Sequence, residues 1–325
     1  MNDQNTILRV EDLRVRFRTR RGDVRAVDGV NLELNRGEIL GLVGESGCGK
    51  SVTAQAVMRL IGDGRGEEVS GRVELDGEDL LQKSEKEMTK LRGRRISMIF
   101  QDPMTSLNPV YTVGNQIAEV PLLHEKVTRR DAYARAVGML ETVGIPSPKE
   151  RARRFPHEFS GGMRQRSVIA MSLCCKPEVL IADEPTTALD VTIQAQILDL
   201  LQDLRRDFGT AIILITHDLG VVAEVCDRVA IMYAGGIVEQ APAGELFRKP
   251  RHPYTQGLLA SLPKIGDRGI LKAIEGRPPD LMNLPEGCRF APRCPHAFGK
   301  CSEYPPLERV AEEHDAACWL EKKHE

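Results

Sequence analysis

The octapeptide Gly44–Ser51, with the sequence GESGCGKS, fits the G-x-x-x-x-G-K-[ST] pattern of a phosphate-binding loop. Glycines let backbone N–H groups turn towards an anion, and a following helix adds partial positive charge at its N-terminus. The Lys50 ammonium can reach the β- and γ-phosphates of a nucleotide, and the Ser51 hydroxyl can ligate Mg²⁺. The residues expected to contact nucleotide are Gly44, Ser46, Gly47, Cys48, Gly49, Lys50, Ser51 and Val52. The loop therefore predicts binding of a nucleoside triphosphate with Mg²⁺.

The flanking residues supply the context that this loop needs. The apolar run Ile39–Val43 predicts a buried strand, and residues 52–60 predict a helix. Strand, glycine-rich loop and helix in this order favour a true phosphate loop over a chance glycine-rich turn.

A second strand that could do chemistry ends in acids. The apolar run Val179–Ala182 is followed by Asp183 and Glu184. An acid at this position binds Mg²⁺ in nucleotidases with a phosphate loop, so Asp183 is a predicted metal ligand. Glu184 is well placed to polarise an attacking water. Two acids at a strand end would as readily be solvated in isolation, but after a phosphate loop they predict hydrolysis.

A second candidate phosphate site follows Phe159. Ser160, Gly161 and Gly162 open a predicted helix that runs to about residue 175, and a helix N-terminus of this kind binds anions. A protein that binds one nucleotide at one phosphate loop has little use for a second γ-phosphate-binding site. In this respect the chain resembles the ATP-binding cassette (ABC) family, in which this motif completes the site of the opposing subunit. The usual Leu-Ser-Gly-Gly-Gln is changed in its first and last residues, to Phe159 and Met163.

The resemblance implies roles for four further residues. Gln101 is similar to the glutamine that senses Mg²⁺ and the attacking water, and is a predicted magnesium ligand. Asp190, in the segment 188–190, resembles the family's dimer-crossing loop. His217 resembles the histidine that contacts the γ-phosphate. Phe17 is the candidate ring to stack on adenine, although a strand Phe is more often a core residue.

The elements that must position these residues predict an α/β fold. Residues 7–43 alternate apolar and polar positions, which is typical of β-strands, and a hairpin is expected around Asp76–Gly77. Val179–Ala182 and Ala211–Ile215 read as buried parallel strands joined by a helix over Thr192–Asp207. A last hairpin is expected to turn at residues 235–236.

The ABC resemblance implies a P-loop NTPase cassette over residues 1–250. Its expected parts are a RecA-like parallel sheet core, an N-terminal antiparallel β subdomain and a helical subdomain at about 100–176. Prolines become frequent beyond residue 250, so residues 251–325 are predicted to form a small extension rich in Cys and Pro.

Bulk composition excludes several function classes. The chain has 325 residues, of which 41% are hydrophobic and 28% charged, an ordinary globular balance. A formal net charge of −2 does not point to nucleic acid as a partner. No apolar run approaches the roughly 18 residues of a membrane helix, and residues 1–5 do not begin a signal peptide. A cytoplasmic location is therefore expected, with any membrane role exercised through partners.

Four cysteines crowd the C-terminal region. Their spacing, C-x₅-C-x₆-C-x₁₆-C, matches neither zinc ribbons nor common ferredoxin runs, so spacing alone leaves iron–sulfur, zinc and free thiols open. Ligand binding would stabilise a proline-rich segment that can bury little, with Arg289 and Arg293 offsetting thiolate charge. The family resemblance implies a [4Fe–4S] cluster, for which the predicted ligands are Cys288, Cys294, Cys301 and Cys318.

Three longer features indicate the branch of the family. The segments Gln101–Pro109 and Arg251–Leu259 and the cysteine block resemble oligopeptide and dipeptide import ATPases and their nickel-import relatives, most closely the dipeptide permease ATPases. The resemblance implies an ATPase that energises import at the cytoplasmic face of the inner membrane. Its expected partners are a second ABC ATPase subunit (a sister chain or a second copy), two transmembrane permease subunits and, indirectly, an extracytoplasmic solute-binding protein.

Three alternatives remain open. Nickel or another small solute could be the cargo, because the ATPase does not touch cargo. A soluble ABC ATPase of DNA repair or translation is disfavoured, because only about 110 residues separate the phosphate loop from Ser160 and they lack sustained heptads. A module that binds nucleotide without hydrolysis is disfavoured by Gln101, Glu184 and His217.

Overall fold

The first strands show why the N-terminal residues form a sheet. Leu13 and Val15 are buried while Arg14 and Arg16 are exposed, so one face of the strand covers a core. The computed structural model describes residues 5–62, 64, 66–101, 106–187, 190–262 and 274–321. It contains a four-stranded sheet in the order β2-β1-β4-β5. Its strands are β1 (Thr6–Thr19), β2 (Gly22–Asn35), β4 (Glu67–Leu75) and β5 (Glu78–Asp79).

The β4–β5 pair is antiparallel, with Leu75 opposite Glu78. Asp76 adopts φ 51° and Gly77 φ 79° between the two strands. The hairpin predicted at this turn is therefore confirmed.

The chain divides into two compact units. The P-loop unit comprises residues 9–33, 39–81 and 216–325, and the helical unit comprises residues 1–8, 34–38 and 82–215. The boundary predicted near residue 250 stays a prediction.

In the P-loop unit, the buried strand β3 (Ile39–Val43) runs parallel to β9 (Arg228–Tyr233). β9 continues through a turn at residues 234–235 into the antiparallel strand β10 (Gly236–Pro242), so the last predicted hairpin is present, with its turn one residue before the predicted 235–236. The C-terminal strand β12 (His314–Ala316) adds to the free edge of β10, and β11 (Glu308–Ala311) adds to β12. The C-terminal residues thus extend the sheet that carries the phosphate loop.

In the described residues of this unit, four segments are α-helical. They are α1 (Lys50–Val57), α8 (Leu219–Val225), α9 (Ala243–Arg248) and α10 (Pro253–Ala260).

The described part of the helical unit includes the parallel strands β6 (Ile96–Ile99), β7 (Val179–Asp183) and β8 (Ala211–Thr216), whose residues are buried throughout, as expected of a sheet covered on both faces. β7 pairs with β6 on one side and with β8 on the other. This arrangement confirms the predicted parallel strands.

The helices of this unit lie before, between and after its strands along the chain. They are α2 (Glu85–Leu91), α3 (Val113–His124), α4 (Arg129–Thr142), α5 (Pro148–Arg151), α6 (Gly161–Leu173) and α7 (Val191–Phe208). The helix predicted over residues 192–207 is confirmed as α7, which buries Ile197, Leu201 and Leu204 on one face and ends where Gly209 adopts φ 68°. Among the helices described, none has both the length and the apolar character needed to span a bilayer.

Candidate functional site

The phosphate loop has the strand–loop–helix context that the sequence predicts. β3 ends at Val43, and α1 begins at Lys50 after an N-cap at Gly49. Gly49 adopts φ 112°, and a Cβ atom there would lie 2.4 Å from the carbonyl oxygen of Ala26. A Cβ atom on Gly44 would lie 2.1 Å from a main-chain oxygen of β9. These approaches admit only glycine, so the tight loop depends on both residues.

The lysine of the loop is folded inwards. Lys50 is 5% exposed, and its Nζ donates to the carbonyl oxygens of Gly44 at 2.7 Å and Glu45 at 3.1 Å. These carbonyls hold the ammonium against the loop, where an incoming phosphate would meet it. The other residues predicted to contact nucleotide differ in solvent exposure. Ser46 and Gly47 are exposed, Ser51 and Val52 are half-buried, and Cys48 is buried.

Glu45 of this loop has anchors that the sequence analysis missed. Its backbone N–H donates to the Tyr254 hydroxyl at 2.9 Å. Its carboxylate accepts two hydrogen bonds from the Arg293 guanidinium, at 2.8 and 3.0 Å. Nothing local in the sequence signals these contacts, which join residues more than 200 positions apart.

Two further predicted residues lie in or beside β-strands. Phe17 is half-buried in β1, so its ring is not a core side chain. His217 is exposed just after β8, and the next residue, Asp218, caps α8 by accepting the N–H of Gly220 at 2.8 Å. Adenine stacking by Phe17 and γ-phosphate contact by His217 stay predictions.

The predicted carboxylates lie at the end of β7. Asp183 is 3% exposed, and the half-buried Glu184 follows it with φ 46°. Positive φ is strained for a residue with a Cβ atom, and such strain persists mainly at functional sites. The backbone N–H of Glu184 donates to the carbonyl oxygen of Ile215 at 2.9 Å, which helps to hold this conformation.

The structure brings two of the three predicted catalytic side chains together. Gln101 donates from Nε2 to Oε2 of Glu184 at 3.1 Å, although they are 83 positions apart. Thr187, which the sequence analysis did not single out, donates from Oγ1 to the same oxygen at 2.8 Å. These donors orient the carboxylate in the way that a positioned base requires.

The second phosphate motif opens α6 as predicted. Ser160 is the N-cap, and its Oγ accepts the N–H of Met163 at 3.4 Å. Ser160 and Gly161 are exposed and Gly162 is half-buried, so the helix N-terminus is accessible. Gln165, a residue missed at the sequence level, is 1% exposed and donates to the carbonyl oxygen of Pro185 at 2.7 Å. It therefore ties the start of α6 to the loop that follows Glu184.

Asp190 caps α7, because its Oδ1 accepts the N–H of Ile193 at 3.0 Å. Residues 188 and 189 of the predicted dimer-crossing loop, and residues 102–105 after Gln101, lie outside the described residues. The contact of Asp190 with a second subunit stays a prediction.

The predicted magnesium ligands have suitable chemistry. The Ser51 hydroxyl, the Asp183 carboxylate and the Gln101 amide carbonyl are hard oxygen donors, which Mg²⁺ prefers. Each of these side chains, taken by itself, therefore has the donor type that suits the ion.

The prediction of an iron–sulfur cluster is wrong. In the part of the chain that the structure describes, no group of three or more His, Cys, Asp or Glu side chains is arranged to hold a metal. The thiols of Cys288, Cys294, Cys301 and Cys318 are all free, and they line a cavity of about 10 Å³, which has room for about one water molecule. Burial raises the pKa of Cys288 and Cys294, and raises that of Cys318 to about 12, which favours thiols over the thiolates that ligate metal.

Packing stabilises the cysteine-bearing segment instead. Phe290 lies in an aromatic cluster with Tyr233 and Tyr254, with ring centroids 4.5 to 5.4 Å apart. Arg289 pairs with Asp28 at 2.6 Å and also donates to the carbonyl oxygen of residue 234. The premise that this segment buries too little to be stable was therefore mistaken.

Two family profiles match separate parts of the chain. The ABC transporter profile matches residues 27–187, which include the phosphate loop, the α6 motif and both β7 acids. The profile described as the oligopeptide/dipeptide transporter C-terminal region matches residues 238–301.

The relatives are similar over nearly the whole chain. The oligopeptide transport ATP-binding protein OppD of Bacillus subtilis is 56% identical over 97% of this chain and 88% of its own length. The dipeptide transport ATP-binding protein DppD of the same organism is 51% identical over 97% and 95%. Among solved structures, the dimeric bacterial ABC transporter cassette MJ0796 aligns with a TM-score of 0.65 and 25% identity, over 73% of this chain and 98% of that one.

Proposed function

The chain belongs to the family of ABC transporter ATP-binding proteins, and from this premise we propose that it hydrolyses ATP to drive the import of oligopeptides or dipeptides. Membership in the family confirms the resemblance drawn from the motifs. The main support for peptide as the transported solute is the 51–56% identity to OppD and DppD proteins along nearly the entire chain. The match of residues 238–301 to a profile described for oligopeptide and dipeptide transporters supports the same assignment.

Nucleotide binding begins at the phosphate loop. The backbone amides of the loop and of the first turn of α1 surround the phosphates, while Lys50 neutralises charge on the β- and γ-phosphates. The side chains of Ser51, Asp183 and Gln101 would hold Mg²⁺, which supplies charge neutralisation when bound. Phe17 stacks on the adenine.

Hydrolysis depends on the acid that follows β7. Glu184 accepts a proton from the attacking water, and its carboxylate is pre-oriented by hydrogen bonds from Gln101 and Thr187. His217 contacts the γ-phosphate, where charge develops in the transition state. The strained backbone at Glu184 costs about 1–3 kcal/mol and sets the direction of this side chain.

The exposed N-terminus of α6 acts across a dimer. Ser160, Gly161 and Gly162 provide a phosphate cradle that binds the γ-phosphate in the site of a second ABC subunit, and Asp190 contacts that subunit. The dimeric cassette among the structural neighbours supports this arrangement. The second subunit is a sister ATPase or another copy of this chain.

The dimer works on membrane partners. Its closing and opening drive two permease subunits from the cytoplasmic face of the membrane, and a solute-binding protein delivers the peptide from the other side. We further propose that residues 251–325 are a small extension of the cassette, which the match of residues 238–301 to the oligopeptide/dipeptide transporter C-terminal profile supports.

The hydrolytic role is tested with Glu184→Gln and a matched control, Glu224→Gln, at an exposed glutamate of α8. The Glu184 variant should bind ATP normally but lose hydrolysis by roughly 10²–10⁴-fold, because the base is gone while the phosphate loop is intact. The control should match the wild type in both measurements. Near-normal hydrolysis by the Glu184 variant would refute the assignment.

The cargo is tested in proteoliposomes that contain the ATPase, its co-purified permease subunits and the solute-binding protein. Uptake of labelled dipeptide or oligopeptide should require ATP and should stop with Glu184→Gln. Uptake of Ni²⁺ without peptide uptake would replace peptide by a small solute as cargo and leave the ATPase assignment intact.

A further inference from the structure

The Arg293 side chain is a buried guanidinium that the proposed catalytic cycle does not use. The side chain is 5% exposed. In addition to its two bonds to the Glu45 carboxylate, it donates from Nε to the carbonyl oxygen of Glu275 at 3.0 Å and from Nη1 to the Tyr233 hydroxyl at 3.3 Å. A bidentate pair of this kind fixes both distance and orientation, which a lysine at the same position could not reproduce.

The acid that Arg293 holds is part of the phosphate loop itself. Each polar group of Glu45 has a defined partner. The carboxylate binds Arg293, the N–H donates to Tyr254, and the carbonyl oxygen accepts from Lys50 Nζ. The chain of contacts therefore runs from the C-terminal residues to the ammonium group that binds phosphate.

Both outer anchors come from residues beyond the minimal cassette. Tyr254 lies in α10, and its ring packs against Phe290, which precedes Arg293 by three residues. The segment that carries Tyr254 and Arg293 is thus built onto the phosphate loop.

We propose that Arg293 is a positioning residue for ATP binding: it fixes Glu45, and through the Glu45 carbonyl it orients the Lys50 ammonium towards the nucleotide phosphates. The Tyr254 hydroxyl fixes the backbone of the same residue by accepting the N–H of Glu45. The inference rests on the proposed function only in taking ATP as the ligand.

The test compares Arg293→Gln with Arg289→Gln in the full-length protein. Arg289 is a matched control, because it is similarly buried and lies in the same segment, but its partners are Asp28 and the carbonyl of residue 234 instead of the phosphate loop. ATP affinity is measured by calorimetry, hydrolysis by steady-state kinetics, and stability by thermal melting without nucleotide.

Arg293→Gln should weaken ATP binding roughly tenfold, because charge-assisted bonds that hold the loop are lost. KM should rise by the same factor, while kcat changes little, because ground-state and transition-state binding are weakened alike. Arg289→Gln should keep ATP affinity within about twofold of the wild type, whatever its effect on melting. Arg293→Lys should fall between wild type and Arg293→Gln, because it restores the charge without the bidentate geometry.

A double-mutant cycle identifies Glu45 as the intermediary. In a Glu45→Gln background, the further change Arg293→Gln should alter ATP affinity by less than about twofold, because the contact is already broken. If Arg293→Gln is unstable, the comparison of Arg293→Lys with Glu45→Gln still tests the contact.

Unchanged ATP affinity in Arg293→Gln, or equal losses in the Arg293 and Arg289 variants, would show that Arg293 only stabilises the fold. Failure of the wild-type protein to bind ATP would instead overturn the proposed function, so the two failures are distinguishable.

Discussion

Acid should destabilise the P-loop unit through one buried histidine. His252 is 1% exposed, and its Nδ1 accepts the N–H of Tyr254 at 3.0 Å, which caps α10. Burial lowers its pKa from 6.5 to about 4, although the nearby Glu239 carboxylate opposes the shift. His252 is therefore neutral in the folded protein at pH values where an unfolded histidine takes up a proton.

The sign and size of the effect follow from this difference in pKa. Between pH 6.5 and pH 4 the unfolded state binds the extra proton, so the free energy of unfolding falls as the pH falls. With pKa values of 6.5 unfolded and about 4 folded, the loss between pH 7 and pH 5 is about 2 kcal/mol. The stability that neutral His252 contributes is present well above pH 6.5 and is lost progressively as the pH falls from 6.5 to about 4.

The assay compares wild type with His252→Asn by urea denaturation at pH 7 and pH 5. Asparagine keeps an acceptor for the α10 cap but does not titrate. The other charged groups near the site (Glu239, His314 and Arg251) are common to both proteins, and the interaction of His252 with the Glu239 carboxylate is part of the difference that is measured. The variant should lose about 2 kcal/mol less than the wild type between the two pH values. An exposed-site control, His296→Asn, should retain the wild-type dependence. Equal pH dependence in wild type and His252→Asn would refute the reasoning.

Two further predictions concern backbone space and buried charge. Gly49→Ala should abolish ATP binding, because its Cβ would meet the Ala26 carbonyl at 2.4 Å, whereas Gly138→Ala, in α4 with nothing within 4 Å, should raise the free energy of unfolding by about 1 kcal/mol. Calorimetry and urea denaturation check the two variants, and ATP binding by Gly49→Ala would contradict the loop geometry. Glu239→Ala should cost about 3–5 kcal/mol in urea denaturation, because the fully buried carboxylate accepts from two backbone N–H groups at 2.6 and 2.9 Å and contacts His314 at 2.7 Å. A loss below about 1 kcal/mol would mean that water replaces these bonds.

Local patterns predicted much of the fold and part of the site. The phosphate loop needs glycines at fixed positions, and the buried parallel strands need unbroken apolar runs, so both are visible in a few consecutive residues. The acids at the end of β7 were found because a strand pattern stops there. Glu184 was predicted from its place after a strand and Gln101 from a family resemblance, each with a role at the attacking water, and the structure joins them by a hydrogen bond.

The rest depends on contacts that no local pattern encodes. Gln165 acts through a bond to a loop 20 positions away, and Thr187 bonds to Glu184 within its own loop, where a threonine by itself carries no sequence signal. The cysteine block was misread because the family resemblance implied a cluster and because a proline-rich segment was expected to bury too little to be stable without a ligand. What stabilises that segment is an aromatic cluster and a strand added to β10, both of which require tertiary structure to be seen.

The charge of Glu45 gives a physical reason for the Arg293 contact beyond simple bracing. An acid in a loop that binds a triphosphate repels its ligand, by roughly 2–3 kcal/mol for two unit charges about 6–8 Å apart at an effective dielectric constant of about 20. The bidentate pair with Arg293 neutralises that carboxylate at the point where the repulsion would act. The same contact thus holds the loop and removes an electrostatic penalty. Removing Arg293 alone leaves a mobile phosphate loop and an unneutralised Glu45 carboxylate. Removing the charge of both side chains leaves only the mobile loop. For that reason Glu45→Gln with Arg293→Gln should bind ATP more tightly than Arg293→Gln alone.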